Sequence, residues 1–120
     1  MIKFNNKEYS SSSEIFFDIF NDKLKLMIIW YLKNSTLRFK ELFEYLQPIT
    51  KKTLTIKLKE LEQLNLVNRK AFADIPPKVE YSLSEHGNNL NPVIDEILIW
   101  SQKYVKTFGE TISKDLKWKF

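Results

Sequence analysis

The segment TKKTLTIKLKELEQL, residues 50–64, has the pattern of an amphipathic helix. Its leucines recur at three- and four-residue spacing, which places them on one side of a helix. They are Leu54, Leu58, Leu61 and Leu64. Thr50 is the predicted N-cap, because its side-chain oxygen can accept a hydrogen bond from a free N–H of the first turn. The segment therefore predicts a helix that buries its leucines and presents lysines and threonines on its other face.

The elements on either side of this helix complete a motif. Residues 38–46 have the spacing of a shorter helix, which ends before Pro48. After the basic helix, residues 67–72 and 79–83 are strand-like runs separated by ADIPPK, whose prolines cannot continue a central ladder. Two helices joined by a tight turn, with the second one basic, form the helix-turn-helix pattern. A hairpin directly after this pattern is typical of a wing.

Further helices are predicted on both sides of the motif. A serine among residues 11–13 can cap a short aromatic helix, and a second helix, apolar nearly all round, is predicted to start after Asp22 and to run to about residue 33. A short helical segment begins at Ser84, and Pro92 fits the first turn of a long final helix that reaches about residue 108. The predicted fold class is mainly α with a small β-hairpin wing, a winged helix-turn-helix with dimerisation helices at both ends.

Length and composition bound the class of protein. A chain of 120 residues, 43% of them hydrophobic, has the size of one domain with one core. We assign residues 1–120 to a single domain, with its core at about 11–108 and a C-terminal tail at 109–120. The N-terminus carries no apolar signal segment, and the most apolar run, residues 24–32, is too short to span a bilayer. A soluble, cytoplasmic protein without a membrane partner is expected.

Residue usage argues against several kinds of catalytic and metal site. The chain has no cysteine, so it has no disulfide, no thiolate nucleophile and no thiolate metal site. His86 is the only histidine, and two glycines are too few for a glycine-rich phosphate loop. The acidic residues are scattered, without a pair that reads as an acid and a base. We expect neither an enzyme nor a bound cofactor or metal.

The positive charge of the chain is concentrated around the basic helix. The formal net charge is +4, and residues 50–70 alone hold six cations and two anions. Lysines attract phosphates, threonines can exchange hydrogen bonds with base edges, and Ile56 offers an apolar contact to a thymine methyl. The predicted contacts to double-stranded DNA are Arg38, Thr50, Lys51, Lys52, Thr53, Thr55, Ile56, Lys57 and, at the wing tip, Lys78. A merely solvated lysine face is the alternative, and the neighbouring helix and hairpin favour DNA.

The first and last helices carry more apolar surface than one small core can bury. A single winged helix contacts few base pairs, and two-fold pairing of half-sites is the usual way in which such modules gain affinity. We therefore expect a homodimer. Its predicted interface consists of Ile15, Phe16, Ile19 and Phe20 on the first helix and Val93, Ile97, Trp100 and Tyr104 on the last.

Two other interpretations of this apolar surface stay open. A helical protein–protein adaptor would use the last helix and would show no salt-dependent DNA binding. A regulator gated by an unidentified small-molecule effector would have a pocket at the dimer helices, and that molecule would weaken DNA binding. Such a pocket would be lined by residues such as Phe16, Phe20, Trp30 or Trp100.

Three blocks of sequence resemble the HxlR-type family of bacterial winged-helix regulators, over about residues 11–100. They are Asp22-Lys23, RFKELFEYLQPITKKTLTIKLKELEQLNLVNR at 38–69 and PPKVEYSLSEHGNNLNPVIDEILIW at 76–100. The resemblance implies a homodimer formed by the first and last helices, DNA recognition by the helix at 50–64, and control of neighbouring genes as repressor or activator.

The chain also departs from the family at three positions. Members commonly have a cysteine at the start of the first helix that senses oxidants or electrophiles, and the matching residue here is Ser11, which excludes thiol-based sensing. Ile56 stands where a polar residue is usual and His86 where an apolar one is. The predicted function is sequence-specific binding to a pseudo-palindromic operator, with half-site centres about one or two helical turns apart. The helix at 50–64 would enter the major groove, and the wing at 67–83 would contact the flanking backbone or minor groove.

Overall fold

The computed structural model describes residues 1–110 and residue 120, and residues 1–110 contain six helices and two small antiparallel sheets. The helices are α1 (Ser12–Ile19), α2 (Lys23–Tyr31), α3 (Phe39–Tyr45), α4 (Lys51–Gln63), α5 (Glu85–Asn88) and α6 (Asn91–Phe108). The strands are β1 (Ile2–Phe4), β2 (Lys7–Tyr9), β3 (Leu37–Arg38), β4 (Val67–Phe72) and β5 (Lys78–Leu83). β1 pairs with β2, and the other three strands form a sheet in the order β3, β5, β4. The predicted winged helix-turn-helix fold is confirmed.

The core is built around α2, as its sequence predicts. Ile28 and Ile29 on α2 have no exposed surface, because a helix that is apolar nearly all round is stable only when other elements surround it. α4 packs its leucine face against α2, α3 and α6 also contact α2, and the sheet packs against α4 and α3. The other buried hydrophobic residues of this core are Phe20, Leu32, Leu42, Leu46, Leu54, Leu58, Leu61, Val67, Tyr81, Leu83 and Ile94.

The ends of α4 are fixed by local chemistry. Thr50 caps its start, since the Thr50 Oγ1 accepts a hydrogen bond from the Thr53 N–H at 3.1 Å. Asn65 follows its last turn with a φ of 61°, a left-handed conformation that asparagine tolerates better than most residues. The Leu66 N–H then donates to the Leu61 carbonyl at 3.0 Å, which closes the helix end. α4 therefore passes directly into β4, and the wing has a fixed origin.

The N-terminal hairpin is a feature that the sequence analysis did not predict. β1 and β2 pair in register from Ile2 with Tyr9 to Phe4 with Lys7. Asn5 and Asn6 form its two-residue turn, both with positive φ, as a type I′ hairpin turn requires. Tyr9 is buried, and its hydroxyl donates to the Asp18 Oδ2 at 2.8 Å, which attaches the hairpin to α1.

Three positions differ from their predicted places. Arg38 is the last residue of β3 and precedes α3, which begins at Phe39. Lys78 is the first residue of β5, paired with Phe72, and therefore lies below the loop that forms the wing tip. Phe20 belongs to the core with 8% of its surface exposed, and its ring also packs against that of Phe16, with centroids 4.9 Å apart. Of the predicted C-terminal tail, residues 111–119 lie outside the described residues.

No helix among the described residues is both long and apolar enough to cross a membrane.

Candidate nucleic-acid interface

The outward face of α4 presents four exposed side chains at helical spacing. They are Lys52, Thr55, Ile56 and Lys59. This face lies opposite the buried leucines, so packing against α2 turns it toward solvent. Ile56 keeps 45% of its surface exposed, as predicted, although burial would be the usual state of an isoleucine. The face offers two cations, a hydroxyl and an apolar group to a partner.

The threonines of α4 divide into two roles. Thr50 and Thr53 hold the helix start, since the Thr50 hydroxyl also donates to the Thr53 Oγ1 at 3.0 Å. The Thr55 hydroxyl donates to the Lys51 carbonyl at 2.8 Å, so its oxygen is left to accept hydrogen bonds from outside. Thr55 is thus the threonine best placed to contact a base edge, while Thr50 and Thr53 orient the helix that carries it.

The lysines of α4 are likewise not equivalent. Lys51 is exposed at the first turn, and its ammonium lies 5.8 Å from the centre of the Phe43 ring. Lys57 is half-buried and departs from its predicted outward position, because its Nζ pairs with the Asp22 Oδ2 at 3.0 Å. Burial opposes ionisation of Asp22, but hydrogen bonds from Lys57 and from the Leu24 N–H outweigh it and lower the pKa of the carboxyl. Lys57 is therefore engaged within the protomer.

Arg38 and Lys78 are both neighbours of Glu80 in the sheet. Arg38 is the register partner of Glu80 across β3 and β5, and it is exposed. Lys78 forms an ion pair with Glu80 at 2.8 Å and lies 4.8 Å from the centre of the Phe72 ring. The charge of Lys78 is therefore balanced locally, whereas the Arg38 guanidinium is the more accessible cation of the two.

The wing has a basic strand and an apolar tip. Arg69 and Lys70 are exposed on β4, and the Lys70 Nζ lies 4.9 Å from the Phe72 ring centre. Ile75 in the tip is fully exposed, and its neighbour Asp74 carries a negative charge. Lys59, Arg69 and Lys70 extend the predicted set of cations, and their helical and strand spacing could have placed them on exposed faces. Within residues 1–110 and 120, no three His, Cys, Asp or Glu side chains come close enough to hold a metal.

A second exposed surface, the α6 stripe, runs along one side of the last helix. It consists of Val93, Ile97, Trp100, Tyr104 and Phe108. The Trp100 and Tyr104 rings stack with centroids 5.2 Å apart, and Trp100 keeps 65% of its surface exposed. An open groove of about 610 Å³ lies along the first part of this stripe. Ile94, on the adjacent face of α6, is buried in the core, and Leu98 packs against that core.

α1 adds a smaller apolar surface. Ile15, Phe16 and Ile19 are half-buried, because the last two also pack against the core of the protomer. Phe17, which is not part of the predicted interface, is 68% exposed and meets the Phe16 ring edge-on at 5.4 Å. The exposed part of α1 is therefore centred on Phe17 rather than on Phe20.

Known proteins share this sequence pattern. The family model described as HxlR-like helix-turn-helix matches residues 19–108. The HTH-type transcriptional regulator YtcD of Bacillus subtilis (strain 168) is 35% identical over 108 residues, which cover 89% of this chain and 86% of YtcD. The HTH-type transcriptional regulator YodB of the same organism is 34% identical over 101 residues, which cover 84% of this chain and 89% of YodB.

Solved structures share the fold. A transcriptional regulator of the MarR family from Porphyromonas gingivalis W83 superposes with a TM-score of 0.76 at 31% identity, covering 81% of this chain and 95% of that one. The crystal structure of YtcD gives a TM-score of 0.75 at 34% identity, covering 80% of this chain and 98% of that one. The protein therefore belongs to the HxlR-like helix-turn-helix family of DNA-binding transcription regulators.

Proposed function

We propose that this regulator binds an inverted-repeat operator as a homodimer, with α4 of each protomer in a major groove. The observation that carries the proposal is the outward face of α4, where Lys52, Thr55 and Ile56 are exposed together on a helix fixed at both ends. A major groove admits one helix, whose exposed side chains then reach base edges. Arg38, Arg69 and Lys70 supply the contacts to the flanking backbone.

The α6 stripe and Phe17 support the homodimer. Exposed apolar surface of this extent and continuity is typical of a protein–protein interface. A second copy of the chain presents the same stripe, and two-fold symmetry brings the two stripes together as one self-complementary surface. A two-fold dimer also presents its α4 helices to two half-sites of opposite orientation, which is the geometry of an inverted repeat.

A selection of genomic fragments by the purified protein at two salt concentrations tests the proposal. We expect one inverted repeat to be enriched, with binding that weakens steeply as salt rises, because lysine contacts release counterions from the phosphates. Enrichment without any repeat would contradict the dimeric arrangement. Absence of enrichment at both salt concentrations would favour the adaptor interpretation, in which the α6 stripe binds another protein.

An open cleft supports a second element of function, control by a small molecule. The cleft has a volume of about 420 Å³, within the range of ligand sites, and lies where the N-terminal hairpin meets α1, α2 and the end of α4. Tyr9, Lys25 and Gln63 are among its lining residues, whereas Phe16, Phe20, Trp30 and Trp100 of the predicted pocket are not. A solved structure of YodB is quinone-bound. The test is a screen for aromatic compounds that weaken DNA binding by the wild type but not by Gln63→Trp, which fills the cleft.

A further inference from the structure

Lys25 is the one charged side chain that is buried in the part of the chain that the structure describes, with 7% of its surface exposed. Its Nζ lies 2.7 Å from the Glu60 Oε2 on α4. The same ammonium donates to the carbonyl of Ile19, the last residue of α1, at 3.0 Å. A single buried cation on α2 therefore connects the end of α1 to the C-terminal half of α4.

A second ion pair joins the same two helices beside the first. Asp22, the N-cap of α2, pairs with Lys57 on α4 at 3.0 Å. At α2 the anion, Asp22, comes three residues before the cation, Lys25. On α4 the order is reversed, and Lys57 comes three residues before Glu60. A slip of α4 by one turn would place Glu60 opposite Asp22, where like charges repel. The two pairs therefore admit one register of α4 against α2.

Stability alone does not account for the burial of Lys25. The Glu60 carboxylate stays partly in water, so the cost of removing charge from water falls chiefly on the Lys25 ammonium, and an apolar residue of similar size frequently stabilises such a position equally well. Setting one register among several is the best-attested use of such a pair. α4 is also the helix whose outward face must meet the groove at a defined angle.

We infer that Lys25 is a positioning residue for DNA recognition: its bonds to Glu60 and to the Ile19 carbonyl hold α4 at a fixed orientation to α1. The inference rests on the proposed function, because orientation matters only if α4 reads a specific site and α1 belongs to the dimer. Non-specific attraction to phosphates tolerates many orientations of the helix, whereas base contacts do not. Loss of the link should therefore lower specificity and leave general DNA affinity unchanged.

The double variant Lys25→Met/Glu60→Leu tests this inference, because it removes the pair without changing the net charge. We would measure the melting temperature and the affinities for the selected operator and for an unrelated duplex of equal length. The expected result is a fall of about tenfold or more in the ratio of specific to non-specific affinity, at a similar melting temperature. The single variant Lys25→Arg keeps a cationic donor beside Glu60. Its ratio of specific to non-specific affinity should stay within about threefold of the wild-type value.

Lys7→Met/Asp18→Leu is the matched control, since it removes an ion pair of 2.8 Å that does not involve α4. Its ratio should stay at the wild-type value, and an equal fall in this control would overturn the inference. An unchanged ratio in the Lys25 double variant would overturn it as well. If that variant does not fold, Lys25→Gln/Glu60→Gln replaces it with the same two outcomes, because it also keeps the net charge and leaves polar side chains at both positions. A wild-type protein without any preferred site would instead refute the proposed function.

Discussion

At the scale of single residues, asparagine takes the conformations that glycine takes in many chains. Asn5, Asn6, Asn34 and Asn65 all have positive φ, between 48° and 61°. Asparagine reaches this region at lower cost than other residues that have a side chain, because its short amide can bond locally. The chain can therefore build the β1–β2 turn and close the end of α4 with only two glycines.

Gly87 is required by packing rather than by its φ. An added Cβ would overlap the carbonyl oxygen of Leu66, a backbone atom that cannot move aside without displacing β4. We predict that Gly87→Ala destabilises the protein by about 1–3 kcal/mol, as overpacking typically does. Urea denaturation measures this change. His86→Ala is the control at the neighbouring exposed position, and an equal loss in both variants would show that α5 rather than the close approach is responsible.

Asp18 makes the attachment of the N-terminal hairpin dependent on pH. Hydrogen bonds from Lys7 and Tyr9 lower the pKa of Asp18 below its ordinary value of 3.8. A depressed carboxyl pKa contributes stability above the ordinary value, and this contribution is lost as the pH falls through the native-state pKa. We therefore predict that the hairpin loosens as the pH falls below 3.8, as followed by the NMR shifts of the Tyr9 ring.

Asp18→Asn is the matched variant for this titration. It cannot ionise, so its hairpin should be looser already at neutral pH, and the acid step in the Tyr9 shifts should be missing. A step of unchanged size in Asp18→Asn would assign the acid transition to another carboxyl.

At the scale of elements, the sequence predicts those helices whose bounds are set by local spacing and capping. The leucine spacing and Thr50 placed α4 to within a residue or two, because periodicity and capping are local properties. The N-terminal hairpin was missed, although alternating Ile2 and Phe4 before Asn5-Asn6 carry its signal. A strand of three residues gives only a weak pattern in the sequence. The burial of Tyr9 against α1 supports the hairpin, and this contact appears only in the folded structure.

The candidate interface shows the limit of such prediction. Helical spacing places Lys57 at the edge of the leucine face, three residues after Leu54 and four before Leu61, but it does not reveal which group engages this lysine. That group is Asp22 on α2, which comes within 3.0 Å of Lys57 only when the two helices pack. Phe20 is a similar case, because its burial depends on how α1 lies against the core. Contacts between distant elements thus decided which members of a correct pattern face outward.

The two lysines give a prediction at this scale. Lys52→Ala should weaken DNA binding and reduce the slope of log K against log salt by about one unit, because one phosphate contact is lost. Lys57→Ala should leave that slope nearly unchanged and lower the stability instead, since it leaves Asp22 without its cation. Fluorescence anisotropy over a salt series and thermal melts measure the two effects. Equal slopes for both variants and the wild type would remove Lys52 from the interface.

At the scale of the whole molecule, α2 separates two kinds of surface. The outward face of α4 is rich in cations and hydroxyl groups, whereas the α6 stripe is aromatic and aliphatic. The first kind suits a phosphate backbone and base edges, and the second suits an apolar partner that excludes water. Because α4 and α6 both pack against α2, one rigid core carries both surfaces. In the proposed dimer, a change in how the two protomers meet would therefore be passed to the spacing of their α4 helices.

The α6 stripe yields the last prediction, on the oligomeric state. Ile97→Asp with Trp100→Ser introduces a charge and removes the largest ring of the stripe, so we expect the dimer to shift toward monomer in sedimentation velocity. Both side chains are exposed in the protomer, so its fold should survive, as circular dichroism will show. Lys106→Ser, on the opposite side of α6, is the control and should remain dimeric.

DNA affinity should fall only in the stripe variant, because a monomer contacts one half-site instead of two. A stripe variant that sediments as a dimer would move the interface to another surface, and one that becomes monomeric with unchanged operator affinity would refute recognition by paired helices.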